Sequence, residues 1–474
     1  MAVETGLLNA IVTGLVTGSI VALGAIGLAL VYDIAEVPNF AHGDLLTLGA
    51  YVALVVNKPG DVPVFEILAT GQRSVSTAGS LVLFTASVSG VLMIIYHLGG
   101  VEALRGEWWG RVDVSERTAL VVHGMVAVGV GGLVVMGVPS LPAALLFAVV
   151  FAGATVPLLE SLIFRKFRER GSELAMMLIV SLAVAFIVRF GVQTVFGGNI
   201  RFYDVETTIV VGARSFDILN TIFYDFYLAG GGLTLAILQP LGGELIDLVI
   251  LNYSWASLVI VGVIGVALGY LMADRRDPSG ALVGPRLAGV GVGAAVIIVG
   301  LVVGATQGEV PAGATVATRV SASPIRVIVI AIALMMMGVL HYVLQATKLG
   351  TAMRATSDNP DLALVRGIDT RLVLMTVWII AGIFAAIAGV LVALLFSNLT
   401  INLGFTLLLP MFAGVILGGI SVYGAILGSY VVGLAMEVSI FAIPGFDSTY
   451  RVSVAFVVLV LVLLFRPQGI VGGR

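Results

Sequence analysis

The chain has 474 residues, 59% of them hydrophobic and 11% charged, with a formal net charge of −3 and no cysteine. Soluble domains carry about 25% charged residues, so this composition and a mean hydropathy of +1.13 specify an all-α, polytopic integral membrane protein. Disulfides, thiolate metal sites and thiol catalysis are excluded, and the near-neutral charge gives no basis for nucleic-acid binding.

Residues 1–6 hold Glu4 and no Lys or Arg. The first apolar run, 7–31, is therefore expected to stay as a span in lipid rather than leave as a cleaved signal. Further spans are predicted near 40–57, 81–98, 119–138, 143–164, 174–197, 248–272, 285–304, 325–346 and 371–397. From 372 to 436, 65 residues contain no Asp, Glu, Lys or Arg. That run must fold back at 397–404 and again near 418–424, before a last span over 451–465. The expectation is 11–13 transmembrane helices. An N-terminus outside puts 99–117, 165–171, 274–286, 348–371 and 466–474 in the cytoplasm, with 16 of the 24 Lys and Arg. Basic residues favour that side, so the N-terminus is placed outside the cytoplasmic membrane and the C-terminus inside. In the external stretch 198–247, residues 216–228 are a candidate amphipathic helix lying at the interface.

Polar residues inside membrane runs carry the chemistry. Val37-Pro38-Asn39-Phe40-Ala41-His42-Gly43-Asp44 lies between two apolar runs. Pro38 lacks an N–H and biases Val37 away from helix, Asn39 can cap the next helix, and Asp44 suits a helix N-terminus. Such a break either lines a transport path or is a loop at the inner end of the first hairpin. Arg189, toward the outer end of its span, is expected to snorkel outward. Glu437, after the long uncharged run, either faces a water-filled path or pairs with a basic neighbour.

The cytoplasmic stretch 349–370 contains Arg354 and then Asn359-Pro360-Asp361-Leu362-Ala363-Leu364-Val365-Arg366-Gly367. Asn359 as N-cap, Pro360 at the first helical position and Gly367 as C-terminal cap specify a helix of two turns. Leu362 and Val365 share its apolar face, which suits either a docking partner or the bilayer surface. No G-x-x-x-x-G-K-[ST] loop occurs, because none of the three lysines follows a glycine. The chain therefore binds no ATP in that way. The histidines at 42, 97, 123 and 341 are scattered, and no G-x-S-x-G is present, so neither a metal site nor an enzyme is expected.

Asn39-Phe40-Ala41-His42-Gly43-Asp44 resembles the signature of permease subunits of branched-chain amino-acid ABC importers. So do the stretch 350–369, which is similar to that family's coupling loop, and Leu417-Gly418-Gly419-Ile420-Ser421-Val422-Tyr423-Gly424-Ala425. Glu160, Arg165 and Arg168 match its pattern at an inner boundary, and Phe465-Arg466-Pro467-Gln468-Gly469-Ile470 matches its ending. The resemblance covers 1–57, about 141–204 and 324–474; residues 58–140 and 205–323 look like insertions of two helices each. It implies a type II ABC importer permease bundle that forms a dimer with a sibling subunit or a second copy. An external solute-binding protein and two ATP-binding subunits complete the assembly, and this chain itself holds no cofactor. Asn39, Phe40, His42, Gly43, Asp44 and Glu437 would then lie along the path. Arg354, Asn359, Pro360, Asp361, Leu362, Val365 and Gly367 would couple it to the ATPases. Permeases for urea, short amides or sugars share that architecture, and an ion-coupled secondary transporter would use Asp44, His42 and Glu437 equally well.

Overall fold

A computed structural model describes residues 2–100, 116–205, 208–211, 214–217, 221–241, 244–273, 296–297, 299–301, 303–311, 315–465 and 469. Two compact units result: 1–12 with 207–327, and 13–206 with 328–474. Most of the predicted span 285–304 and of the closing motif at 466–470 lie outside the described residues, as do most of 99–117 and 274–286.

The larger unit is helical. α1 (Ala2–Ala35), which enters this unit at Thr13, and, after six residues, α2 (His42–Asn57) open it. A short two-stranded pair, β1 (Ala69–Gly71) and β2 (Ser74–Val75), leads into α3 (Thr77–His97) and α4 (Glu116–Met136). α5 (Leu141–Leu159) runs through a π-turn (Glu160–Phe164) into α6 (Arg165–Glu169), and α7 (Leu174–Phe196) comes next. The later helices of the chain, named once the intervening strands are described, complete this bundle.

Residues 207–327 hold β3 (Thr208–Val211), β4 (Arg214–Asp217), β5 (Ile222–Ala229), β6 (Gly232–Leu241) and β7 (Glu244–Ser254). Next come α8 (Trp255–Ala273), β8 (Thr306–Gln307) and β9 (Thr315–Ala322). Five strands form an antiparallel sheet of order β8-β7-β6-β5-β9, and β3 pairs with β4. Asp225 and Arg319 face each other across β5 and β9 and form a two-pronged ion pair, 2.6 and 2.5 Å. On the same unit, Asn9 Oδ1 accepts the Ser321 N–H at 2.8 Å.

This sheet corrects two expectations. Among the described residues of 216–228, 216–217 and 222–228 are strand rather than interfacial helix: the aromatic and branched run of β5 pairs on both edges, and Gly230–Gly231 turns it into β6. The span placed at 248–272 begins instead as β7, and its helix starts only at Trp255. A short apolar run does not distinguish strand from helix by periodicity, and pairing with β6 decides it.

The chain then returns to the bundle through α9 (Pro324–Ala346), α10 (Lys348–Asp358), α11 (Pro360–Val365) and α12 (Thr370–Leu395). α13 (Leu403–Leu417), α14 (Val422–Ala442) and α15 (Arg451–Phe465) close it. Nine helices among the described residues are long and apolar enough to cross a membrane. α1 and α12 are apolar all round and buried for most of their length, whereas α3, α4, α7 and α9 keep exposed apolar faces. Helices hydrophobic on every side belong in the centre of a bundle. α2 and α13, with 16 and 15 residues, are too short to cross alone, since a span needs about 20 residues.

Candidate functional site

The break after α1 is not a loop at the end of a hairpin. Glu36 turns the chain with φ +55°, and residues 36–39 run without helix. The Ser181 hydroxyl accepts the Phe40 N–H at 3.2 Å and donates to the Pro38 carbonyl at 3.0 Å. His42 Nε2–H donates to the Gly24 carbonyl at 2.8 Å. Gly24 stands eleven residues before the end of α1, about 16 Å back along its axis. A six-residue extended segment reaches about 20 Å. The chain therefore climbs back alongside α1 and starts α2 about halfway up the bundle. Asn39 shapes the start by accepting the Ala41 N–H at 3.1 Å, while its backbone oxygen accepts the His42 N–H at 3.2 Å.

A second break mirrors the first from the opposite end. α12 ends at Leu395, and Ser397 turns the chain with φ +50°. Leu399 exchanges backbone hydrogen bonds with Arg201, 3.0 and 2.8 Å. The Tyr51 hydroxyl donates to the Leu399 carbonyl at 3.4 Å. Five residues later the chain has reached the start of α2, where Thr47 Oγ1 accepts the Gly404 N–H at 2.8 Å. α13 then runs away from that level, bringing Met411 to Gly24 and Phe412 to within 4.8 Å of Phe40, ring centre to ring centre. Along α2 the order is reversed: Asp44 meets Arg189 and Tyr51 meets Phe196. Two short helices thus point in opposite directions with their N-termini together. A Cβ on Gly404 would lie 1.7 Å from the Gly43 oxygen, so only glycine permits the approach.

Each N-terminus carries partial positive charge, and Asp44 lies in the first turn of α2. Arg189 answers it from α7 with a two-pronged ion pair, Nε to Oδ1 2.8 Å and Nη2 to Oδ2 3.0 Å. The Asp44 side chain is 1% exposed and that of Arg189 13%. Arg189 therefore does not snorkel outward; its partner, 145 residues earlier in the chain, holds it inside. Its guanidinium carbon lies 4.4 Å from the Phe405 ring centre and 5.7 Å from that of Phe186. Arg189, Thr47 and Phe405 were not among the expected site residues. The available signal was an arginine well inside an apolar run, with one aspartate at another helix start.

Glu437 belongs elsewhere. Thr17 Oγ1–H donates to its Oε1 at 3.0 Å and Arg451 Nη2 lies 3.1 Å from its Oε2, so it ties α14 to α1 and α15. Of the two readings of its sequence, the basic neighbour is the one this geometry provides. Among the described residues, no group of three His, Asp or Glu is arranged to hold a metal ion.

α11 matches its sequence. Asn359 Oδ1 accepts the Leu362 N–H at 2.9 Å, Pro360 opens the helix, and Gly367 takes φ +83°. The Gly367 and Ile368 N–H groups donate to the Leu364 and Ala363 carbonyls, both 3.0 Å, which closes the C-terminus. Ala363 is buried, whereas Leu362, Leu364 and Val365 are exposed at 55%, 61% and 82%. Arg354 sits on α10 with its guanidinium on the Leu344 carbonyl at the end of α9. Beside α11 a cavity of about 380 Å³ is lined by charged groups, among them Asp33, Glu36, Glu160, Arg168 and Arg371. Glu160, in the π-turn, pairs with Arg168, whose other arm reaches the Ala35 carbonyl at the end of α1. The end of α1 and the base of α11 share this cavity's wall.

The family model described as "Branched-chain amino acid transport system / permease component" matches residues 10–104 and 223–464, most of the chain. The chain belongs to this permease family. Among curated relatives, the permease is 31% identical over 151 residues to the high-affinity branched-chain amino acid transport system permease protein BraD of Pseudomonas aeruginosa. That alignment covers 32% of this chain and 48% of the relative. It is 30% identical over 138 residues to the probable branched-chain amino acid transport permease protein LivH of Methanocaldococcus jannaschii, covering 28% and 44%. It is also 33% identical over 104 residues to the galactose/methyl galactoside import permease protein MglC of Escherichia coli, covering 22% and 30%. The permease thus spans about half or less of the length of the curated relatives it matches. No solved structure matches it.

Proposed function

We propose that this chain is the membrane-spanning subunit of an ABC importer for branched-chain amino acids. It forms the translocation path and leaves ATP binding to separate subunits. The carrying observation is α11, a helix of six residues capped at both ends and presenting Leu362, Leu364 and Val365 outward. A helix so short has no stability of its own, and three exposed apolar residues on it suit insertion into a partner's groove. In this reading the partner is an ATP-binding subunit, one for each of two permease subunits, and an external solute-binding protein delivers the substrate. The side bearing α11 is then cytoplasmic, the N-terminus external, and the paired starts of α2 and α13 lie along the path between the two sides.

Cross-linking tests this reading. The chain has no cysteine, so Leu362→Cys provides a single thiol, expected to trap the nucleotide-binding subunit in the assembled, active importer. An active importer that never yields that cross-link overturns the role of α11. Uptake by this chain alone in vesicles, driven by an ion gradient without ATP, overturns the ABC assignment. The similarity to a galactoside permease supports a second reading, a sugar importer; parallel uptake of leucine and galactose by the reconstituted complex separates the two.

A further inference from the structure

Arg189 marks a face of the bundle that lipid does not suit. α7 has 23 residues, about 35 Å of helix, and Arg189 lies about 22 Å from its start and 10 Å from its end. On the same stripe, at spacings of four, three and four residues, are Leu182, Phe186, Arg189 and Gln193. All but Arg189 are exposed. An arginine and a glutamine on one stripe of a spanning helix face a protein partner or a water-filled cavity, because hydrocarbon penalises both. Beside the stripe stand Phe190 and, from α13, Phe405, exposed at 57% and 50%.

The Asp44–Arg189 pair is neutral as a whole, bidentate, and set where two helix N-termini meet. A molecule carrying one carboxylate and one ammonium on the same carbon has the complementary arrangement of charge. Its carboxylate replaces the Asp44 oxygens on the guanidinium fork, which is suited to planar two-pronged recognition. Its ammonium takes Asp44. A molecule with only one of the two charges leaves the other protein group unpaired in a poorly solvated site. The rings of Phe186, Phe190 and Phe405 supply apolar surface beside it for an aliphatic side chain. An independent observation points to a polar ligand or its water at this level. At the start of α2, Asn39 Nδ2 and His42 Nδ1 are fully buried and make no hydrogen bond. Since His42 Nε2 donates to Gly24, Nδ1 offers a lone pair, and Asn39 offers a donor.

We propose that Asp44 and Arg189, flanked by Phe186, Phe190 and Phe405, form the recognition centre for a zwitterionic α-amino acid within the path. This rests on the amino-acid importer reading above and adds the groups that read the zwitterion.

The experiment uses the reconstituted importer with its binding protein and ATPases. Exchanging the charges, Asp44→Arg with Arg189→Asp, keeps an ion pair and reverses its polarity. A recognition centre predicts that the exchanged importer assembles, hydrolyses ATP, and takes up leucine at least about tenfold more slowly than wild type. A merely structural pair predicts that the exchange restores uptake as well, and that result overturns the proposal. Phe190→Ala, at an exposed ring, provides the second reading if the exchanged chain does not assemble. Leucine KM is expected to rise several-fold while alanine KM stays unchanged; a leucine KM that also stays at its wild-type value overturns the proposal. A wild-type importer that takes up galactose and no amino acid sinks the underlying functional reading instead.

Discussion

A buried ion pair is costly to make and more costly to break. Desolvation of Asp44 and Arg189 offsets much of their attraction, but removing one partner leaves the other charge stranded. Arg189→Gln is expected to destabilise the purified protein by about 3–5 kcal/mol, read as a lowered midpoint of thermal unfolding in detergent. Adding Asp44→Asn should recover most of that loss, because two neutral amides can hydrogen-bond each other. The neighbouring backbone contact is equally specific: at Gly404 a methyl group meets the Gly43 oxygen rather than a yielding side chain. Gly404→Ala should cost about 1–3 kcal/mol through forced separation of the two helix starts, detectable in the same unfolding assay. The sequence makes Asp44 conspicuous and leaves Arg189 ambiguous. An arginine seven residues from a helix end can reach an interface or a buried carboxylate, and only the tertiary fold brings Asp44 within 2.8 Å.

At the scale of elements, local chemistry is legible where it is self-contained. Asn359, Pro360 and Gly367 mark the two ends of α11 locally, and its ends are where they place them. Asn359→Ala removes the side chain that accepts the Leu362 N–H, a loss of about 1 kcal/mol. Such a change on an exposed six-residue helix should leave the unfolding midpoint nearly unmoved. On the proposed ABC-importer reading its expected effect is on coupling: fewer substrate molecules taken up per ATP hydrolysed, with the Leu362→Cys cross-link weakened in parallel. The stretch between α7 and α9 shows the opposite limit. Its apolar runs at 222–229 and 244–254 fit helix or strand equally, and the choice lies in strand pairing, of β5 with the distant β9 and of β7 with β6 just before it. Both breaks, at 37–44 and 397–404, are visible in the sequence as interruptions of apolar runs. Their depth is not, because it depends on Ser181, Gly24 and Thr47 on other elements.

Among the described residues of the larger unit, the same construction occurs twice in opposite senses. A long helix of 34 or 26 residues is followed by a break and a short helix of 16 or 15. Each short helix spans one half of the bundle, α2 toward Asn57 and α13 toward the side bearing α11. Two half-spanning elements that meet at one level suit a path opened from one side at a time. The stripe on α7 passes that level, with Leu182 on the α11 side and Gln193 on the other, and both are exposed. Because the chain lacks cysteine, Leu182→Cys and Gln193→Cys give clean single probes for a membrane-impermeant, water-borne thiol reagent. Alternating access along this face predicts reciprocal labelling in the assembled importer. On the proposed ABC-importer reading, trapping the ATPases with a non-hydrolysable nucleotide should raise reaction at one position and lower it at the other by several-fold. If neither thiol reacts in either state, the face is covered by lipid or a dry interface, and the path does not follow α7.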